Sequence, residues 1–159
     1  MYNDVFYIII VLFTGYLFGM IQSAFFIGRL KGIDVKKEGS KNAGASNIVL
    51  LIGWKYGILV FFIDLLKSLV PILIFSSLFD NSYLPAIAGL GAMLGHIFPF
   101  YMNFNGGKGF SCYIGLVMGL NFDLGIYFVI FAGLLVIITN YVALATILSV
   151  IVLTVELNF

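Results

Sequence analysis

The chain has 159 residues, 62% of them hydrophobic and 9% charged, with a formal net charge of +1 and a mean hydropathy of +1.15. About a quarter of a soluble domain is charged, so a water-soluble globule is excluded, and the 17% aromatic content excludes disorder. The near-zero charge leaves no basic nucleic-acid surface, and Cys112, the single cysteine, makes no disulfide within the chain.

What remains is an all-α polytopic bundle, one integral membrane domain over residues 1–159. A membrane-crossing helix needs ~20 mainly apolar residues. Val5–Gly28 is the first such run, and Asp4, with no Lys or Arg in residues 1–10, argues for a retained span over a cleaved signal peptide. A polar segment, 29–55, follows. Tyr56–Phe79 is the second span and carries Asp64 and Lys67; Leu84–Phe104 is the third and carries His96 and Pro99. After the glycine-rich segment 103–109 come the short run Phe110–Leu120, then Leu124–Ile138 and Tyr141–Leu157, about six spans in all.

Charge placement orients them. With the N-terminus outside, Arg29, Lys31, Lys36, Lys37, Lys41, Lys55 and Lys108 all fall on the cytoplasmic side. Asp4, Asp80, Asp123 and Glu156 fall on the other. Glycines at four-residue spacing, Gly15/Gly19, Gly53/Gly57, Gly91/Gly95 and Gly115/Gly119, predict close helix packing, because lipid offers no hydrophobic force between helices.

Three ionisable residues sit inside apolar runs. Asp64 and Lys67 are i,i+3 on one helix and form a self-neutralising pair or, on a transport reading, part of a polar path. No inverted repeat supports transport. His96 is either hydrogen-bonded filler or a functional group beside the second glycine segment.

Two segments on the cytoplasmic side have the chemistry of anion sites. In Glu38–Asn47, small residues let backbone N–H groups converge, and Ser40, Asn42, Ser46 and Asn47 add side-chain donors at the start of a helix. In Asn103–Gly109, Gly106 and Gly107 form a nest beside the Lys108 charge. Neither a P-loop nor a dinucleotide fingerprint is present. Either segment alone is a flexible loop; two on one membrane face, beside His96, point to phosphate chemistry.

Together these blocks resemble the bacterial membrane glycerol-3-phosphate acyltransferases that use acyl phosphate as donor. Gly39-Ser-Lys-Asn-Ala-Gly-Ala-Ser-Asn47 is similar to the family's G-S-G-N-x-G-A-T-N, and Asp64-Leu-Leu-Lys67 to its D-x-x-K-G. Gly95-His-Ile-Phe-Pro99 with Gly106-Gly-Lys-Gly109 is similar to its G-H-x-[FY]-P and K-G-G-K-G, and Tyr141–Ala145 is a weaker echo of a fourth block.

The resemblance implies acyl transfer from acyl phosphate to the 1-hydroxyl of glycerol-3-phosphate, without metal or cofactor. Lysophosphatidic acid and phosphate would be the products. Membrane lipids would surround a multi-pass protein of the bacterial plasma membrane whose active face is cytoplasmic. It implies His96, Ser46 and Asn47 at the reacting groups, and Ser40, Lys41, Asn42, Gly106, Gly107 and Lys108 around the substrate phosphates. Burial logic, apart from the resemblance, suggests that Asp64 and Lys67 brace the loops.

The chain also departs from the family pattern. Leu50 stands for an arginine, Lys41 for a glycine, Ser46 for a threonine, Ser68 for a glycine, Asn105 for a lysine, Asn140 for an arginine and Ala143 for a serine. Relatives run on into a further helix, so this chain reads as a C-terminally shortened member. The alternative reading is a non-catalytic membrane paralogue that binds lipid precursors or scaffolds a complex.

Overall fold

The computed structural model describes residues 2–80 and 83–156, and every regular element among them is helical. In chain order these are α1 (Tyr2–Gly19), α2 (Ser23–Leu30), α3 (Ala45–Ile52), α4 (Trp54–Leu78) and α5 (Tyr83–Ile97). A 3-10 turn (Phe100–Met102), α6 (Phe110–Leu120), α7 (Phe122–Thr139) and α8 (Val142–Glu156) complete the set. Helices are the expected solution where lipid offers backbone groups no partner.

Among the described residues, four segments are long and apolar enough to cross a membrane: Asp4–Leu30, Trp54–Leu78, Tyr83–Met102 and Phe122–Thr139. Phe110–Leu120 and Val142–Val152 are apolar but shorter. At ~1.5 Å per residue α6 is about 17 Å long, roughly half of a hydrocarbon core. The predicted end of the last span at Leu157, and Phe159 beyond it, lie outside the described residues.

The first span differs from the continuous helix that its apolar run predicts. It breaks at Met20–Gln22, and a new helix starts at Ser23. A break inside an apolar span frees carbonyl groups that lipid cannot satisfy. Other elements supply the donors: the Tyr101 hydroxyl donates to Met20 O, and Lys67 Nζ donates to Ile21 O at 2.7 Å.

Glycines make the closest helix contact. α1 crosses α5 with Gly15 and Gly19 against the backbone of Ala88 and Ala92, while Gly91 and Gly95 lie against that of Leu12 and Tyr16. A Cβ at any of the four would overlap a carbonyl oxygen across the seam, so backbones here touch directly. Gly115 repeats the arrangement for α6 against Leu65 of α4. Gly53 is different from its predicted packing role. With φ +109° and open space around it, it is the joint between α3 and α4.

The segment between α2 and α3 is anchored by apolar side chains. Val35 and Ala43 are buried with Ala24, Ile48 and Val60 in one cluster. The polar residues between them are therefore carried on a fixed frame. Two further clusters, around Leu65, Ile114, Val117 and Phe128 and around Val11, Phe75, Leu84 and Ala88, pack the spans beneath.

Candidate active site

The site begins with a buried polar knot where α1, α2, α4 and α5 meet. Asp64, Lys67 and His96 are each less than 5% exposed. Lys67 Nζ lies 2.9 Å from Asp64 Oδ1, 2.7 Å from Ile21 O and 2.7 Å from His96 Nδ1. An ammonium has three protons to donate, and three groups stand within hydrogen-bond reach of it. Asp64 Oδ1 also accepts from Ser23 Oγ at 2.8 Å. A charge this deep is tolerable when paired and fully hydrogen-bonded.

The His96 backbone is fixed as firmly as its ring. Its carbonyl accepts from Gln22 Nε2 at 2.8 Å and from the Gly107 N–H at 3.1 Å. The chain then folds back on the end of α5, with the Gly106 N–H donating to Ile97 O at 2.9 Å. Asn103 and Phe104 take left-handed conformations, φ +50° and +57°, to make that return. The ring face at Nε2 rests against Gly107, where a Cβ would overlap Nε2 and lie 2.6 Å from Ala43 O. His96 Nε2 therefore sits where the two glycine-rich segments meet.

The first segment is organised by Asn47. Its Oδ1 accepts the Ser40 N–H at 2.7 Å, and its Nδ2 donates to Val35 O at 3.0 Å and Glu38 O at 3.1 Å. Gly39, at φ +59°, passes so close to Oδ1 that a Cβ there would overlap it. Upstream, Asp34 caps a turn: its Oδ1 accepts the Lys36 N–H at 3.0 Å, and its own N–H donates to Glu38 Oε1 at 3.1 Å. That Lys36 N–H holds the Asp34 carboxyl below its ordinary value. Lys36 itself reaches across to the second segment, donating to Asn105 Oδ1 at 2.8 Å and Gly106 O at 3.2 Å, and burial pushes its ammonium below the usual lysine value.

A family model described as glycerol-3-phosphate acyltransferase matches residues 9–159. A glycerol-3-phosphate acyltransferase 1 of Oceanobacillus iheyensis is 35% identical over 145 residues, 86% of this chain and 70% of the relative. A glycerol-3-phosphate acyltransferase of Aquifex aeolicus is 38% identical over 138 residues, 86% of this chain and 71% of that one. Among solved structures, PlsY (YgiH), an integral membrane glycerol 3-phosphate acyltransferase in its glycerol 3-phosphate form, superposes with a TM-score of 0.88 at 34% identity, covering 94% of this chain and 76% of the other. Its lysophosphatidic acid form gives a TM-score of 0.85, covering 94% and 75%.

The chain belongs to the glycerol-3-phosphate acyltransferase family.

Within that family frame, the residues singled out from the sequence divide into three groups. Ser40, Lys41 and Ser46 are exposed and Asn42 is half-buried on the first segment, and Lys108 is exposed on the second. These are free to meet a solute. His96, Asp64 and Lys67 are brought together, although the pair holds the α1–α2 break and His96 and does not brace the loops as the sequence suggested.

The third group changes character. All three side-chain hydrogen bonds of Asn47 go to backbone groups between Val35 and Ser40, so both Nδ2 protons are used in building the loop and are not available to an anion. Likewise the Gly106 and Gly107 N–H groups are committed to Ile97 O and His96 O, and no nest opens there. What those glycines provide is room for His96.

Sequence reasoning missed Gln22, Ser23, Lys36 and Tyr101. The Gln22-Ser23 pair in the middle of an apolar run was a usable signal for the break. Lys36 stood among several lysines with nothing to separate it from Lys37. Among the described residues no three His, Cys, Asp or Glu side chains come together as a metal-ligand set.

Proposed function

We propose that the chain transfers an acyl group from acyl phosphate to the 1-hydroxyl of glycerol-3-phosphate, forming lysophosphatidic acid and inorganic phosphate for phospholipid synthesis. The observation that carries this reading is the position of His96 Nε2 where the two glycine-rich segments meet. It occurs in a fold whose solved relatives are described in a glycerol 3-phosphate form and a lysophosphatidic acid form.

The hydroxyl oxygen of the acceptor attacks the acyl carbonyl carbon. The new C–O ester bond forms, the C–O bond to phosphate breaks, and the hydroxyl proton ends on the released phosphate. Acyl phosphate is already activated, so orienting two anionic substrates supplies much of the barrier reduction. Ser40, Lys41, Asn42 and Ser46 surround one phosphate, aided by the N-terminus of α3. Lys108 faces the other as a point charge. His96 donates from Nε2 to a substrate oxygen, where charge develops in the transition state.

The one-sided distribution of Arg29, Lys31, Lys36, Lys37, Lys41, Lys55 and Lys108 supports a cytoplasmic active face in a bacterial plasma membrane. Purified protein in lipid nanodiscs, given palmitoyl phosphate and glycerol-3-phosphate, is expected to release phosphate and lysophosphatidic acid in equal amounts. His96→Ala serves as the control. Substrate binding without turnover above that control would overturn catalysis and favour the non-catalytic paralogue.

A further inference from the structure

The geometry at His96 determines which way its proton lies. Nδ1 faces the Lys67 ammonium at 2.7 Å. An ammonium donates and never accepts, so Nδ1 carries the lone pair and the ring proton is on Nε2. Lys67 has no freedom to do otherwise, because its other two protons go to Asp64 Oδ1 and Ile21 O. Asp64 is in turn held by Ser23 Oγ at 2.8 Å, while its Oδ1 lies 3.8 Å from Nδ1, beyond hydrogen-bond reach.

We propose that Lys67 is a positioning residue that locks His96 as an Nε2–H donor, with Asp64, Ser23 and the Ile21 carbonyl holding Lys67 in place. This deepens the acyl-transfer reading, and its kinetic arm rests on that reading. The consequence is specific. The ring's one lone pair is committed to Lys67, so His96 acts as a hydrogen-bond donor to a substrate oxygen and not as a general base. A second-sphere group that selects a histidine tautomer in this way is a recurrent device. Here it also explains why the helix breaks at Met20–Gln22: the break presents the Ile21 carbonyl as the third acceptor that fixes the ammonium.

His96 is the only histidine in the chain. Histidine-selective 15N labelling of the whole protein in lipid nanodiscs therefore reports one ring. Without substrate, the 15N shifts and long-range 1H–15N couplings are expected to show a protonated Nε2 and a bare, hydrogen-bonded Nδ1. Lys67→Met should release the ring into a mixture of tautomers, and Lys67→Arg, which keeps a cationic donor, should restore Nε2–H. In turnover, Lys67→Met should lower kcat by ~10–100-fold with little change in KM for glycerol-3-phosphate, and Lys67→Arg should recover part of that loss.

A wild-type spectrum with the proton on Nδ1, or on both nitrogens, would overturn the proposal whether or not any variant folds. So would an unchanged tautomer in Lys67→Met. The spectrum is read without substrate, so the two readings fail separately. The expected tautomer in a wild type that does not turn over would support the lock and overturn only the acyl-transfer assignment.

Discussion

Lys36 Nζ lies 2.8 Å from Asn105 Oδ1 and 3.2 Å from Gly106 O, so one side chain ties the two glycine-rich segments together across 69 residues of sequence. Asn105 stands where the family pattern has a lysine. Lys36 brings a positive charge to that point from the other loop.

Lys36→Met is expected to unlatch the loops. Hydrogen bonds to a charged group contribute ~1.5–3 kcal/mol at most, and a half-exposed pair less, so a stability loss of about 1 kcal/mol and a several-fold rise in KM are expected. The Lys36→Met/Asn105→Ala double variant should lose little more than Lys36→Met alone, because Lys36→Met already removes the Asn105 bond along with the one to Gly106 O. Additive losses in a thermal-melt cycle would show that the two side chains act independently.

Gly107→Ala puts a methyl group onto His96 Nε2 and close to Ala43 O. The ring cannot retreat without leaving Lys67. Displacement of a reacting group by ~1 Å can cost ~100-fold in rate, and a loss of that order is expected in phosphate release. Gly133→Ala is the matched control, since nothing lies within 4 Å of its added Cβ. Comparable activity losses in both variants would remove the steric argument.

The α1–α5 seam is expected to be the most sensitive packing element. Gly19→Ala drives a methyl group into the Ala92 carbonyl, and Gly95→Ala does the same to Tyr16 O. Overpacking of this kind costs ~1–3 kcal/mol. Unfolding in mixed micelles by a titrated denaturing detergent should show both variants weakened. Gly133→Ala should be unchanged or slightly firmer.

Asn47→Ala would strip three backbone groups of their partners: the Ser40 N–H, Val35 O and Glu38 O. Only the Val35 O bond is buried, the other two being part-buried. An orphaned buried group costs ~1–3 kcal/mol and a partly exposed one less, so loosening of the 35–47 segment is expected, visible as faster amide hydrogen exchange there. Asn47→Asp keeps the acceptor for Ser40 but sets a carboxylate against two carbonyls, and should be no better. Normal exchange rates together with lost activity would instead assign Asn47 a direct role with substrate.

Much of the fold was legible because each signal was local. The boundaries of α6 and α7 fall within a residue or two of the predicted apolar runs, since helix ends follow glycine, asparagine and the edge of apolarity. The pairing of Gly15/Gly19 with Gly91/Gly95 could be expected in kind, though the partner could not. The break at Met20–Gln22 was hidden because mean apolarity stays high through it, and its cause lies in Lys67 and Tyr101 on other elements.

The site was legible in membership more than in role. Asp64, Lys67 and His96 stand out in any apolar sequence because charge in lipid needs a reason. Asn47, Gly106 and Gly107 looked like anion donors because a residue type shows capacity to donate and not where the donation goes. Only the hydrogen bonds of the folded chain show that capacity already used.

By itself the sequence determined that this protein is a helical membrane bundle with two polar segments and three buried ionisable residues. So apolar a chain cannot cover a soluble core, and lipid leaves the backbone no partner but itself. The tertiary structure decided everything that depends on groups far apart in the chain. It brought Ile21, Lys67 and His96 within hydrogen-bond reach, set Gly107 against the ring, and latched Lys36 onto Asn105. Those distances come from backbone contact along the glycine seam, which brings the α1–α2 break up to the end of α5 and closes the site around His96.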